Sequence, residues 1–595
     1  MCGLAGLLRA GPSDRAARSQ DPCLHHRGPD AAGHRIVELP GGSAELFHTR
    51  LAIQDLSSAG DQPIRSADGR FTLVYNGEIY NYPQLRAECE ARGDVFQSDM
   101  DGEVLLHLWA RLGAGALSRL NGIYALAMVD EHTGTVVLAR DPLGVKPLFV
   151  VRDQHDLWFA SELRALDRMG APLGSPDVTG LAQFLTFLWT PDPRTPYADA
   201  RSVPPGTTLT WRPHGLETDG FSYSPSGVEV GGRTPVEAAE KHVRGAAGRQ
   251  LLSDVPVALM ASGGVDSSLL WWAAADGLAR AYTISWDREA GTEGLSEDAT
   301  AVRQLQRRFG TPTTYLEGHK AEHVLLPPSG DLFADPAYEL TRQIAAAACD
   351  DNIKVLLAGQ GGDELFGGYR RHFVAKLLER VRLGAGGRKL EMALARAAGG
   401  RVGVEYAARM ARALSEPDPF RAYMQLCSYS TARERAEALG CTEAEVSDDV
   451  VWAEHRAVFD AQPRTTSFLR KVMTVDQNVY LPGLGLAYMD RAGMEFGVEI
   501  RVPWLDLELV AWSRTLPDNV LQRRGRGKWL PRALAAQELG EQLANRPKRG
   551  FAAPARLVRR GSHTPGERGH RQGDYFARAR QVLDAHLMRD RPARS

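Results

Sequence analysis

At 595 residues the chain is long enough for two to four domains, and its 43% hydrophobic and 24% charged content is that of a globular protein, which excludes disorder and fibre as its class. The 71 Lys+Arg against 73 Asp+Glu leave a net charge of −2, so no overall field gathers nucleic acid or an anionic membrane. The longest apolar runs, such as 123–129, fall far short of the roughly 18 residues that span a bilayer. The N-terminus has neither a basic segment nor an A-x-A-like cleavage site, and reads as that of a cytoplasmic protein. Six cysteines are too sparse for a disulfide scaffold, and none forms a metal-binding C-x-x-C pair. Cys23, Cys89, Cys349, Cys427 and Cys441 read as small hydrophobes. Cys2 stands apart because of its address.

In chain order, residues 1 to about 215 read as strands (71–75, 124–129, 135–139, 148–151, 157–160) broken by Gly, Pro and Asp. Residues 216–235, rich in Ser, Gly and Pro, read as a linker. From 236 the pattern changes: apolar strands at 255–260, 281–285 and 353–357 alternate with helices at 237–252, 267–278, 299–309 and 340–349. That alternation predicts a doubly wound parallel sheet. Residues 373–480 read as almost wholly helical, interrupted by glycines at 384–387 and 399–400, and are expected to cap the sheet. The segment 556–595 is a basic tail with ten Arg and four acids, of which 573–588 can form one amphipathic helix. It lacks the interleaved aromatics of a nucleic-acid binder and reads as solvated or docked.

Removal of Met1 would leave Cys2 with both a thiol and a free α-amine. The amine titrates at about 7.7–8.0 and the thiol at about 8.5, so one residue supplies nucleophile and base. The motifs that follow are His26-Arg27-Gly28-Pro29-Asp30, Arg50-Leu51-Ala52-Ile53-Gln54-Asp55, Tyr75-Asn76-Gly77-Glu78, Asp101-Gly102-Glu103, Arg140-Asp141-Pro142-Leu143-Gly144-Val145-Lys146-Pro147 and Ser161-Glu162. In this order they resemble the glutaminase domain of the glutamine-hydrolysing asparagine synthetase family, an N-terminal-nucleophile αββα fold. The resemblance implies an oxyanion site at Asn76 and Gly77, with Arg50 on the α-carboxylate of glutamine, Asp101 on its α-ammonium, and Glu78 completing the pocket. Gly102 stands where the family usually has Thr. Without the resemblance, Asn76-Gly77 would read as a hairpin turn.

The strand at 255–260 runs into Ser262-Gly263-Gly264-Val265-Asp266-Ser267-Ser268, and the strand at 353–357 into Ala358-Gly359-Gln360-Gly361-Gly362-Asp363. A glycine turn opening a helix offers backbone N–H groups to phosphate, and without G-K-[ST] this is no Walker A loop. The first turn resembles that of ATP-pyrophosphatases. The family resemblance, continuing through Asp490-Arg491-Ala492-Gly493-Met494, Glu499-Ile500-Arg501-Val502-Pro503-Trp504 and Lys528-Trp529 to about 555, implies ATP contacts at Ala261, Ser262, Gly263, Gly264, Asp266, Ser267, Ser268, Ile284, Asp298, Ala358 and Gly359. It also implies Mg²⁺ shared by Asp266 and Asp363, and a catalytic cation in Lys528.

The implied reaction is amidation of a carboxylate through an acyl-adenylate, with glutamine as nitrogen donor and aspartate the simplest acceptor. The alternative is another carboxylate in natural-product or surface-sugar biosynthesis. Gln360, where the family often carries an acid, and Trp504, where Phe is usual, point to a reshaped acceptor site. A homodimer is left open by the sequence.

Overall fold

The computed structural model describes residues 2–11, 20–154, 156–224, 234–285, 297–318, 327–380, 404–523, 526–546 and 571–589. Met1, the glycine runs at 384–387 and 399–400, residues 225–233 of the expected linker, 547–555 at the end of the resemblance, and 556–570 and 590–595 of the tail lie outside them.

The N-terminal half is a sandwich of two antiparallel six-stranded sheets. The first has the order Ala200–Ser202, Phe149–Arg152, Asp156–Ala160, Gly3–Ala10, Gly42–Arg50, Ala31–Leu39. The second runs Gly215–Gly220, Thr207–Arg212, Thr135–Arg140, Gly122–Asp130, Phe71–Ile79, Ile64–Arg65. Strand side chains alternate between faces, and here both faces are buried. Leu4 and Leu8 meet Val74, Ala125 and Ala127 between the sheets, whereas Ala5 and Leu7 face Leu163 and Leu166 outside. Leu73 and Tyr75 pack outward on the helix Asp101–Leu112. The result is the αββα layering. Its helices Tyr82–Glu90, Asp101–Leu112, Leu163–Arg168 and Val178–Phe187 are absent from the strand-and-turn reading, as are the strands Gly3–Ala10, Ala31–Leu39 and Gly42–Arg50.

The second half opens with the helix Pro235–Gln250, started by a Thr234–Glu237 capping box with proline in its first turn. It leads into a parallel five-stranded sheet ordered Thr313–Glu317, Leu278–Ser285, Val257–Met260, Val355–Leu357, Glu499–Arg501. From Val257–Met260 the chain winds outward through two strands on one side, then returns to Val355–Leu357 on the other. The topological switch point therefore lies between the two strands that carry the glycine turns, where such sheets bind ligands. Helices between 404 and 475 pack on one another and on the helix Val178–Phe187, and lead into a π-helical segment, Asp476–Leu486, that contains Pro482. The helix Arg571–Arg589 docks on the body: Ala579, Val582 and Leu583 are buried against Phe184, Leu185 and Leu332. Among the described residues no helix is long and apolar enough to cross a membrane.

Candidate active sites

Cys2 precedes the strand Gly3–Ala10, and its parity puts it on the same inter-sheet face as Leu4. Asn76 shares the face of Val74 in the opposite sheet, so the two meet across the sandwich. The Cys2 nitrogen donates to Asn76 Oδ1 at 2.9 Å. That bond orients the amide and leaves Asn76 Nδ2 buried without a partner, a donor available to an oxyanion beside the thiol. Asn76-Gly77 is thus mid-strand, paired with Ala125 and Tyr124, and is not a hairpin turn. A Cβ on Gly77 would lie 2.1 Å from the Ile123 carbonyl, so the backbones approach only because this residue is glycine. Burial raises the Cys2 thiol, partly offset by a hydrogen bond from the Leu51 backbone.

The residues expected to clamp glutamine are bonded within the chain. Arg50 Nη1 donates to the Ser57 carbonyl at 2.6 Å and to Asp61 at 2.8 Å, and Nη2 donates to the carbonyls of Gln54 and Asp55. To grip an α-carboxylate the fork has to exchange these partners. Asp101 accepts from Tyr75 Oη at 2.9 Å and from the Ile79 N–H at 2.6 Å, and burial pushes its carboxyl up to about 6. Glu78 accepts from Gln54 Nε2 at 2.6 Å and pairs at 3.2 Å with Arg501 of the other half. Burial raises it to about 8 despite that arginine.

Residues to which the sequence assigned no role join the two halves. Arg27, fully buried, donates to Glu162 at 3.0 Å, forks onto Asp490 at 3.0 and 3.1 Å, and reaches the Cys2 carbonyl through Nε at 3.3 Å. Asp490 also accepts from Arg491 at 3.0 Å, and Arg491 in turn holds Asp331 at 2.6 Å. Both arginines sit inside quoted motifs, but their pairing had no local signal.

The second site is a cavity of about 280 Å³ at the switch point. Ser262, Gly263, Gly264, Asp266, Ser267, Asp298, Ala358, Gly359, Asp363 and Lys528 line it, while Ala261, Ser268 and Ile284 lie in the strand ends and helix around it. Lys528 Nζ stands between the two expected metal carboxylates, bonded to Asp266 and 2.8 Å from Asp363. Its backbone is left-handed, with φ 55°, a cost a non-glycine residue bears where surrounding structure enforces it. Burial would lower its ammonium, yet the two carboxylates hold it above the ordinary lysine value.

These residues fit a divalent cation. Two hard carboxylates meet at the glycine turns, and glycines make room for them: a Cβ on Gly362 would lie 2.7 Å from Asp266 Oδ1, and one on Gly368 1.9 Å from Asp363 Oδ1. No cluster of three or more ligating side chains occurs among the described residues. Asp298 pairs with Arg546 at 2.7 Å, and Arg532 donates to the Arg546 carbonyl at 3.1 Å, adding two cations to the cavity wall. Gln360, Asp335, Tyr369, Tyr480, Tyr488 and Tyr575, the last from the C-terminal helix, also line the cavity.

Fold and paired sites define a class II glutamine amidotransferase joined to an ATP-using synthetase domain. Residues 1–222 match the glutamine amidotransferase domain family and residues 238–586 the asparagine synthase family. The chain belongs to the asparagine synthase family, as a glutamine-hydrolysing, asparagine synthase-type amidotransferase. It is similar to asparagine synthetase [glutamine-hydrolyzing] 1 of Bacillus subtilis strain 168, at 28% identity over 575 residues, covering 93% of this chain and 87% of that one. A putative asparagine synthetase of Mycobacterium tuberculosis strain H37Rv is 28% identical over 607 residues, covering 93% and 88%. Asparagine synthetase 3 of Bacillus subtilis is 30% identical over 406 residues, covering 62% and 63%.

Proposed function

We propose that the chain converts glutamine, a carboxylate, ATP and water into glutamate, an amide, AMP and pyrophosphate. With Met1 removed, the Cys2 thiol attacks the glutamine amide, its α-amine takes the proton, and Asn76 Nδ2 with the Gly77 N–H receives the oxyanion. Arg50 and Asp101 hold the two charged ends of glutamine, and Glu78 lies beside them. The α-ammonium returns that proton to the nitrogen as the C–N bond breaks, water cleaves the resulting Cys2 thioester to give glutamate, and the ammonia passes to the synthetase half, since in water it would be captured as ammonium.

There the two glycine turns hold the triphosphate at a helix N-terminus. Asp266 and Asp363 would carry Mg²⁺, which supplies positive charge to the phosphate oxygens. Lys528 places its ammonium where acyl and phosphate oxygens gain charge during adenylation. Asp298, tied to Arg546, borders the pyrophosphate side. The observation that carries this reading is the Lys528 bridge between Asp266 and Asp363 at the switch point.

Aspartate is the simplest acceptor on family grounds. Gln360 favours another carboxylate, because a neutral amide replaces a charge that could recognise the ammonium of aspartate. The test is pyrophosphate release from ATP and Mg²⁺ across a panel of carboxylic acids, with glutamine or ammonium as donor. Acid-dependent release with either donor supports the reading. Glutamine hydrolysis without any acid-dependent release overturns it.

A further inference from the structure

The C-terminal helix Arg571–Arg589 carries Tyr575 into the wall of the synthetase cavity, far in sequence from the motifs that shape the rest of it. The helix is fixed there. Arg578 Nε donates to the Ala334 carbonyl at 3.0 Å and its guanidinium pairs with Glu339, while Ala579, Val582 and Leu583 are buried in a cluster with Leu332. Tyr575 packs on Tyr429 with ring centroids 5.3 Å apart.

Three further phenols, Tyr369, Tyr480 and Tyr488, line the same cavity. Tyr369 and Tyr480 meet edge-on at 5.7 Å and rest on the Arg371 guanidinium, at 3.9 and 4.6 Å from the ring centres. That guanidinium is matched by Asp476 at 2.8 Å and the Tyr369 hydroxyl donates to Glu364, so these two phenols present ring surface with their cation already paired. The cations lining the cavity among the described residues are Lys528, Arg532 and Arg546. They belong to the phosphate side: Lys528 bridges Asp266 and Asp363, Arg546 pairs with Asp298, and Arg532 follows Lys528 in the first turn of the helix Trp529–Leu539. Once one carboxylate is adenylated, a dicarboxylic amino acid needs a cation for the other. Among the described residues the phenols have no further one beside them in the cavity, and the carboxyl they do have beside them, Asp335, would disfavour a second carboxylate, while the rings suit a flat or apolar body.

Resting on the amidation reading above, we propose that Tyr575 is a specificity-determining residue. It completes a phenol wall that selects a monocarboxylic acid with an aromatic or apolar body over a dicarboxylic amino acid.

The test uses the full-length enzyme with ATP, Mg²⁺ and ammonium, reading pyrophosphate release with 3-phenylpropionate, 4-hydroxyphenylacetate, hexanoate, succinate and aspartate. The wild type is expected to prefer one of the first three over the last two by at least about tenfold in kcat/KM. Tyr575→Ala should erase at least about tenfold of that preference through KM for the acid, with KM for ATP and glutamine hydrolysis within about twofold. Tyr575→Phe should keep it. Tyr575→Arg, which adds a cation to the wall, should shift the preference at least about tenfold towards succinate and aspartate.

Aspartate as the best wild-type acid would overturn the acceptor class. A preference unmoved by both Tyr575→Ala and Tyr575→Arg would overturn the role of Tyr575. A wild type that hydrolyses glutamine but releases pyrophosphate with no acid overturns the amidation reading itself, and this proposal with it.

Discussion

Arg27 of the glutaminase half forks onto Asp490 of the synthetase half at 3.0 and 3.1 Å, while its Nε rests 3.3 Å from the carbonyl of Cys2. A fully buried ion pair is thus one bond from the nucleophile and carries the domain contact at the same time.

Removing one partner of such a pair leaves the other charged and desolvated. Arg27→Ala is therefore expected to cost about 3–5 kcal/mol of stability, read as a lower Tm. It should also reduce the amide formed per glutamine hydrolysed, since the two halves lose their register next to Cys2. An unchanged Tm and an unchanged product ratio would count against a coupling role.

The same pair sets an acid dependence. Burial alone would raise the Asp490 carboxyl, but Arg27 and Arg491 reverse this and hold it at about 2, against 3.8 for an ordinary aspartate. A depressed folded-state value means that the stabilisation is complete above the unfolded pKa and is lost as pH falls towards 2. The contribution is about 2 kcal/mol. Equilibrium unfolding between pH 5 and 2 should show a steeper loss in the wild type than in Asp490→Asn, and parallel curves would remove Asp490 as the cause.

Cys2→Ala should abolish glutamine hydrolysis and glutamine-dependent amidation while sparing the ammonia-dependent reaction, because the chemistries occupy separate sites. Mass spectrometry of active enzyme should show a chain that starts at Cys2, the only form with a free amine on the nucleophile. Asn76→Ala should lower the hydrolysis kcat about 10²–10³-fold with a smaller change in KM, as expected for a donor that acts on the oxyanion. A change confined to KM would make Asn76 a ground-state contact.

Lys528→Ala should cripple acid-dependent pyrophosphate release by about 10²-fold or more with little change in ATP binding, since its charge matters most in the transition state. Asp363→Asn should stop the same release while glutamine is still hydrolysed, because it removes a charged donor to the metal. Wild-type release from either variant would place the adenylation chemistry elsewhere.

The sequence by itself determined much of this protein. Ordered short motifs marked both halves, and the two glycine turns marked the sheet edge, because a tight turn between strand and helix is a local event that a few residues encode. That Cys2 and Asn76 face each other was not legible there, since the strand Gly3–Ala10 was missed and Asn76-Gly77 lay outside the expected strand at 71–75. Only the tertiary structure decided the remainder. Arg27 and Asp490 stand 463 positions apart, and each reads in the sequence as an ordinary charged residue of the kind expected at a surface. Glu78 with Arg501, and Lys528 with Asp266, are likewise pairs whose partners share no periodicity. A helix over 573–588 was legible from its composition, but its docking, which brings Tyr575 to the cavity, depends on the surface formed by Phe184, Leu185 and Leu332. Local patterning specifies which way a side chain points within its element, whereas the partner it meets is set by how distant elements pack.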